Sequence, residues 1–206
     1  KNLIRPKITQ YLCEHCSGSG LIPACSHPIA DSENYPHVAI IGAGIGGVAL
    51  AVACLHRGIP FTLYERDHSF NARAQGYGLT LQQASNAIKG FGLFSLKEGG
   101  SSTRHLVHTT EGKKISEWGM RTHLNTNKSP KRINLHIPRQ SLRLALLQQL
   151  GDHDAVQWGH RLVDFKYCDD KSVELSFQVN GKMKNAKADL VVGADGIRSV
   201  VRSLLI

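Results

Sequence analysis

Cysteine is scarce in this chain, five in 206 residues, and the five are too few and too unevenly spread for a disulfide scaffold. Cys13, Cys16 and Cys25 crowd into the first 25 residues, while Cys54 and Cys168 stand alone in apolar or strand-like contexts. This spread points to a reducing location, the cytoplasm, or to a local metal site. Glycine has no fixed period, there is no internal repeat or low-complexity tract, and Val, Leu and Ile are ample, which excludes collagen, coiled coil and wholesale disorder. No apolar core follows Lys1 and Arg5, so no secretory signal is expected, and the missing initiator Met reads as a fragment or processed product. One apolar stretch, the 18 residues Val38–Leu55, carries no charge. That is the lower limit for a membrane span. Glycines 42, 44, 46 and 47 sit where a strand would turn into a helix, so the expectation is strand and helix with no membrane span.

Acidic residues are outnumbered 16 to 25 by Lys and Arg, a formal charge of +9. Residues 104–143 carry nine Lys/Arg against Glu111 and Glu117, or +7 of the total. A nucleic-acid surface would interleave aromatics with that charge, and only Trp118 lies there. The segment reads as a solvated face, or one that draws in an anionic cofactor, and no nucleic-acid partner is expected. The length suits one domain with an appendage: a Cys-containing extension over 1–34 and a nucleotide-binding domain over 35–206.

Periodicity predicts the elements. His37–Ile41 is a continuous apolar run, as in a parallel strand buried on both faces. Gly46–Arg57 is Ala-rich and helix-compatible; Gly58 suits its end and Pro60 forbids continuation. Phe61–Tyr64 is a second strand, closing a β-α-β unit. Leu79–Leu81 reads as a strand, Gln82–Phe91 as a helix, Leu106–Thr109 and Ile115–Trp118 as strands, and Arg139–Leu150 as a helix with Leu142, Ala145, Leu146 and Leu150 on one face. Arg161–Tyr167 and Val173–Val179 alternate as antiparallel strands, and Asn180-Gly181 is a two-residue hairpin signal leading into 182–188. Leu190–Val192 reads as another buried parallel strand, and Ile197–Leu205 as a helix.

The motif that carries chemistry is Gly42-Ala-Gly44-Ile-Gly46-Gly47, which holds G-x-G-x-x-G at 42, 44 and 47. Gly42 permits the tight turn out of the strand, Gly44 lets backbone approach a pyrophosphate, and Gly47 lets the helix pack closely on the strand. The helix N-terminus then offers free N–H groups and a positive dipole end. Glu65 closes the second strand 23 residues after Gly42, at the spacing of a carboxylate that accepts from ribose hydroxyls. This unit by itself does not separate NAD from FAD.

The landmarks that follow are Glu65-Arg66, Gln75-Gly-Tyr-Gly-Leu-Thr-Leu81, Pro138-Arg-Gln-Ser-Leu142 and Gly193-Ala-Asp-Gly196. In this order they resemble group A flavoprotein monooxygenases, the p-hydroxybenzoate hydroxylase-like family, to which tetracycline-inactivating monooxygenases are similar. The resemblance covers residues 36–206. It implies an α/β fold: a Rossmann-like, doubly wound FAD-binding core with a three-stranded antiparallel excursion at about 159–188. It implies that Gly42, Gly44 and Gly47 hold the FAD pyrophosphate, that Glu65 holds the adenosine ribose, and that Arg66 lies over the adenine end. Gly76 and Gly78 belong to backbone passing close to the cofactor, Arg139 points at the ribityl–pyrophosphate region, and the backbone of Leu162 meets adenine. Asp195-Gly196 matches a second fingerprint associated with FAD and the nicotinamide cofactor; Asp195 also suits a helix N-cap.

The function so implied is hydroxylation of a small aromatic or polycyclic substrate, dependent on FAD, NAD(P)H and O2. The cofactor carries such chemistry, so no catalytic acid or base is named. A flavin-dependent dehydrogenase, reductase or halogenase would use the same core, and a non-catalytic nucleotide-binding protein is the alternative of a different class. The family's third fingerprint, a Gly-Asp turn beside the flavin, does not occur in these residues. The expectation is therefore weak FAD binding and no coupled turnover from them alone, with Val200, Val201, Leu204 and Leu205 left unpacked. Cys13-Glu-His-Cys16-Ser-Gly-Ser-Gly20 resembles one repeat of a DnaJ-type zinc module, which Cys25 and His27 could complete as Cys3His. Modules of that kind pair two repeats and this chain has one, so a loosely packed extension without metal is expected.

Overall fold

The computed structural model describes residues 14–16, 19–72, 76–81, 84–96, 98–102, 105–118, 134–151 and 156–206. Twelve strands and four α-helices are found among them. The centre is a four-stranded parallel sheet. In it β1 (Val38–Ile41) lies between β12 (Leu190–Gly193) and β2 (Phe61–Tyr64), and β8 (Val156–Gln157) flanks β2. Helix α1 (Ile45–Leu55) links β1 to β2, as the β-α-β pattern predicts.

Strand β1 is buried along its whole length because both faces are covered. Val38 and Ile40 point into one core with α1, Leu63 and the apolar face of α3 (Arg139–Gln148), including Leu142, Leu146 and the following Leu150. Ala39 and Ile41 point into a second core. There the cover is an antiparallel sheet of β9 (Arg161–Tyr167), β10 (Val173–Val179) and β11 (Lys182–Ala188). Leu162, Leu175 and Phe177 face inward from it, and the Tyr64 ring stacks on Phe177 at 4.3 Å between centroids. The α/β, Rossmann-like core with its three-stranded antiparallel excursion is as expected; the excursion packs on the second face together with Val200 and Val201. The 180–181 turn has φ of 50° and 78°, which suits Asn-Gly in a tight hairpin.

Several elements differ from the periodicity. Gln82 and Gln83 lie outside the described residues; in the rest of the helix expected at Gln82–Phe91, α2 (Ala84–Ala87) is followed by a 3-10 turn at Ile88–Phe91. Gly90 interrupts that stretch at a cost in helix stability, and Gly92 ends it in the left-handed conformation, φ 79°. Strand β3 (Gly78–Leu81) pairs with β7 (Asn134–Pro138), which also pairs with β4 (Gly100–Ser102). Strand β4 has no apolar residue and leaves no periodic trace, whereas Asn134–Ile137 alternates polar and apolar over only four residues, a signal that sequence reasoning passed over. Strands β5 (His105–His108) and β6 (Lys114–Trp118) form where two strands were expected, each starting one residue earlier, and they pair as a separate antiparallel hairpin. Strand β12 is an edge, and Leu190 is 48% exposed rather than buried. Helix α4 (Val200–Leu205) starts three residues later than expected. Val201 is buried and Val200 packs beside it in the second core, so the expectation that both are unpacked is corrected; Leu204 and Leu205 are exposed.

The extension runs irregularly over 19–37 and is tied down near the end of α1. Asp31 N–H donates to Gly58 O at 2.8 Å, and the His27 ring stacks on His56. Cys13 lies outside the described residues, as do Arg104, Arg121, Lys128, Lys131 and Arg132 of the basic segment. Among the described residues no group of three His, Cys, Asp or Glu could hold a metal ion. Also among them, no helix is long and apolar enough to cross a membrane, since the uncharged 38–55 stretch divides into a strand and an 11-residue helix.

The close approach at Gly47 makes a test. A Cβ there would lie 1.9 Å from Gly42 O, whereas one at Gly46 meets nothing within 4 Å. Gly47→Ala should destabilise the fold by about 1–3 kcal/mol through overpacking. Gly46→Ala should move stability by less than about 1 kcal/mol. Urea denaturation reads both, and equal midpoints would mean that the turn tolerates a side chain at 47.

Candidate functional site

Three loops meet at the C-terminal ends of the parallel strands. The first is the glycine turn. Gly42 adopts φ +105°, and its N–H donates to Tyr64 O at 2.7 Å, which anchors the turn to β2. A Cβ on Gly42 would sit 2.7 Å from Ala194 O, so residue 42 must be glycine for the 194–196 loop to lie against it. Gly44 precedes α1 with no side-chain cap, and no acidic residue occupies the first turn. The N-terminal N–H groups of α1 and its positive dipole end are therefore presented outward. Cβ positions at both Gly44 and Gly46 open onto empty space. A dinucleotide phosphate needs such a cradle: backbone donors, no side chain in the way, and no competing carboxylate.

The second loop follows β2. Glu65 is buried, 8% exposed. Its Oε2 accepts from Ala43 N–H at 2.8 Å and its Oε1 from Asp67 N–H at 3.0 Å. An ionised carboxylate has about four acceptor sites, so two remain for hydroxyl donors. Arg66 is exposed beside it. The Glu65 carbonyl accepts from His160 N–H and the Asp67 carbonyl from Gly159 N–H. These bonds place the start of β9 next to Glu65. Leu162 turns its side chain into the second core, and its backbone pairs with Phe177.

The third loop is Ala194–Ser199. Ala194 N–H donates to Ile41 O at 2.7 Å, and Gly196 takes φ +82°. Asp195 Oδ2 accepts from Val200 N–H at 2.6 Å and Val201 N–H at 3.3 Å, and Oδ1 accepts from the Ser199 hydroxyl. The N-cap itself is Ser199, whose hydroxyl accepts from Arg202 N–H. Asp195 thus binds the first turn of α4 from outside the cap position expected of it.

Gly42, Gly44, Gly47, Glu65, Asp195 and Gly196 therefore come together. Gly76, Gly78 and Arg139 form an adjoining group. Arg139 N–H donates to Tyr77 O, and its guanidinium lies over the Tyr77 ring at 5.4 Å. Gly78 packs against the His136 imidazole, which leaves no room for a Cβ. Gln75 is outside the described residues.

Sequence reasoning passed over the residue between these groups, Arg143. It is 6% exposed, and its Nε donates to Ala43 O at 2.7 Å. Its guanidinium lies 5.0 Å from the Phe70 ring and 5.7 Å from the Trp158 ring. Burial pulls its pKa below the ordinary arginine value, the Glu65 and Asp67 carboxylates oppose that shift, and Arg139 adds to it. The available signal was an arginine interrupting an apolar helix face four residues after Arg139, and so on the same side of α3. On the opposite flank of that helix, residues 92–96 with Glu98, Ser141, Leu144 and Gln148 line a cavity of about 560 Å³ that contains none of the expected site residues.

A family model described as FAD binding domain matches residues 35–205. The chain is 29% identical over 172 residues to an FAD-dependent monooxygenase of Trichoderma harzianum, a match covering 82% of this chain and 40% of the relative. It is 31% identical over 193 residues to hispidin-3-hydroxylase of Neonothopanus nambi, covering 86% and 42%. The chain thus spans between about one fifth and two fifths of the length of the curated relatives it matches. The solved structure of p-nitrophenol 4-monooxygenase PnpA from Pseudomonas putida DLL-E4 superposes with a TM-score of 0.70 at 17% identity, over 87% of this chain and 44% of that one, a likeness of fold.

The Asp195 contacts are open to measurement. Asp195→Ala removes an acceptor from two N–H groups of α4 and should cost about 0.5–2 kcal/mol, as loss of a cap does. In thermal denaturation this should lower Tm by about 2–4 °C per kcal/mol in a chain of this size. An unchanged Tm would show that Ser199 alone secures the helix start.

Proposed function

The chain belongs to the FAD binding domain family, and on that premise we propose that it is the dinucleotide-holding part of an FAD-dependent monooxygenase. The observation that carries the site is the uncapped start of α1, with two glycines open to empty space beside a buried Glu65. In this reading Gly42 shapes the turn, the N–H groups at the start of α1 take the pyrophosphate oxygens, and Gly44 and Gly46 leave room for them. Gly47 keeps the helix close to the strand. Glu65 has acceptor capacity left for the adenosine ribose hydroxyls, and would repel a 2′-phosphate. Arg139 lies toward the ribityl–pyrophosphate region, backbone at Gly76, Gly78 and Leu162 passes close to the cofactor, and Arg66 covers the adenine end. Asp195-Gly196 borders the site where Gly42 packs on it.

When bound, FAD supplies the redox chemistry with NAD(P)H and O2. The chain's own contribution is binding, orientation and exclusion of water, and no acid or base is assigned. The whole protein's reaction is proposed to be hydroxylation of a small aromatic or polycyclic molecule in the cytoplasm, with NAD(P)H as co-substrate. The names of the relatives support this class. NAD(P)H oxidation by the whole protein at a rate that no aromatic substrate accelerates would count against the monooxygenase assignment.

The cofactor site has a direct test. Glu65→Ala removes a charged acceptor and should weaken FAD on the order of 10- to 100-fold. Gly44→Val should weaken it further, because its side chain fills the space left for the phosphates. FAD content after extensive dialysis measures both, and wild-type retention by the two variants would place the cofactor elsewhere.

A further inference from the structure

We infer that Arg143 is a positioning residue for phosphate recognition: it holds the Ala43 carbonyl so that the Gly44 N–H faces the pyrophosphate. The inference deepens the FAD reading above and rests on it. In a planar trans peptide the C=O and the following N–H point in opposite directions. Arg143 Nε donates to Ala43 O at 2.7 Å, and Ala43 itself is fully buried. The carbonyl of the 43–44 peptide is thereby fixed inward, toward α3. Its N–H, on Gly44, is aimed the other way, to the side on which a Gly44 Cβ would meet nothing within 4 Å. Among the described residues that N–H finds no acceptor.

The preceding peptide is held as well, by Glu65 Oε2 on Ala43 N–H. One carboxylate and one guanidinium thus hold the two successive peptides that shape the phosphate turn. Arg143 is locked in its turn. It lies against the Phe70 and Trp158 rings, makes a longer contact to Phe70 O at 3.4 Å, and sits in the field of Glu65 and Asp67. An arginine suits this place and a lysine does not: its planar group can donate along Nε while its faces lie on aromatic rings. At 6% exposure it acts through the backbone and not by touching the ligand.

The test compares ligands with and without the pyrophosphate. FAD, ADP and adenosine are titrated calorimetrically into the full chain as wild type, Arg143→Met and Arg143→Lys, and Tm is recorded for each. Arg143→Met should weaken FAD and ADP by about tenfold or more while adenosine changes by less than about threefold. Arg143→Lys keeps a buried cation and an aliphatic stem, so it guards against loss of folding; it should show the same selective loss at smaller size. The Gly44 amide resonance should shift on addition of ADP to the wild type and shift less in both variants. ADP and adenosine weakened in equal proportion, or ADP affinity unchanged, would overturn the inference and leave the FAD site standing. A wild-type chain that binds neither FAD nor ADP would remove the underlying reading instead.

Discussion

The missing side chain at Gly47 is the constraint on which this site depends. The first turn of α1 approaches Gly42 O so closely that even a methyl group would collide with it. That approach brings the helix N-terminus directly over the C-terminal end of β1. It also brings Ala194 against Gly47, so the 193–196 loop, the glycine turn and the helix start share one small space. Parallel pairing of β1 with β12 and β2 supplies the rest, because parallel strands end on the same side and deliver their loops together.

Charge around this turn is arranged so that the helix end stays available. No acidic side chain caps α1, and the nearest carboxylate, Glu65, is committed to the Ala43 and Asp67 amides. Arg143 offsets that buried negative charge and bonds the turn from the far side. A buried arginine without partners would be costly. Here it has a carbonyl acceptor, two carboxylates in its field and two aromatic faces.

The two cores divide the labour. The helical side packs α1 and α3 on β1 and β2, and so sets the distance from Arg143 to the glycine turn. The other side packs β9 and β10 on the same strands through Tyr64, Leu162 and Phe177, and so brings the 158–162 segment to Glu65. The outlying β5–β6 hairpin takes no part in either core, and its Ile115 and Trp118 stay exposed.

Local pattern alone determined the β-α-β unit, the helix at 139–148, the 161–188 strands and the tight glycine turn of Gly42 and Gly47 after β1. In each case the cause lies within a few residues: an apolar run, a helical face, an Asn-Gly turn, a glycine where a Cβ has no place. Four things were decided only by tertiary structure. The second face of the parallel sheet is covered by β9–β11, because Ala39, Ile41 and Tyr64 needed an apolar partner and sequence spacing does not say which segment supplies it. Strand β4, Gly-Ser-Ser, exists through its pairing with β7 about 35 residues away and not through any alternation of its own. Asp195 and Ser199 share the start of α4 because the loop folds back on the helix. Arg143 became part of the site only when α3 packed beside α1, since an arginine's partners a hundred residues away are set by packing and not by its neighbours along the chain.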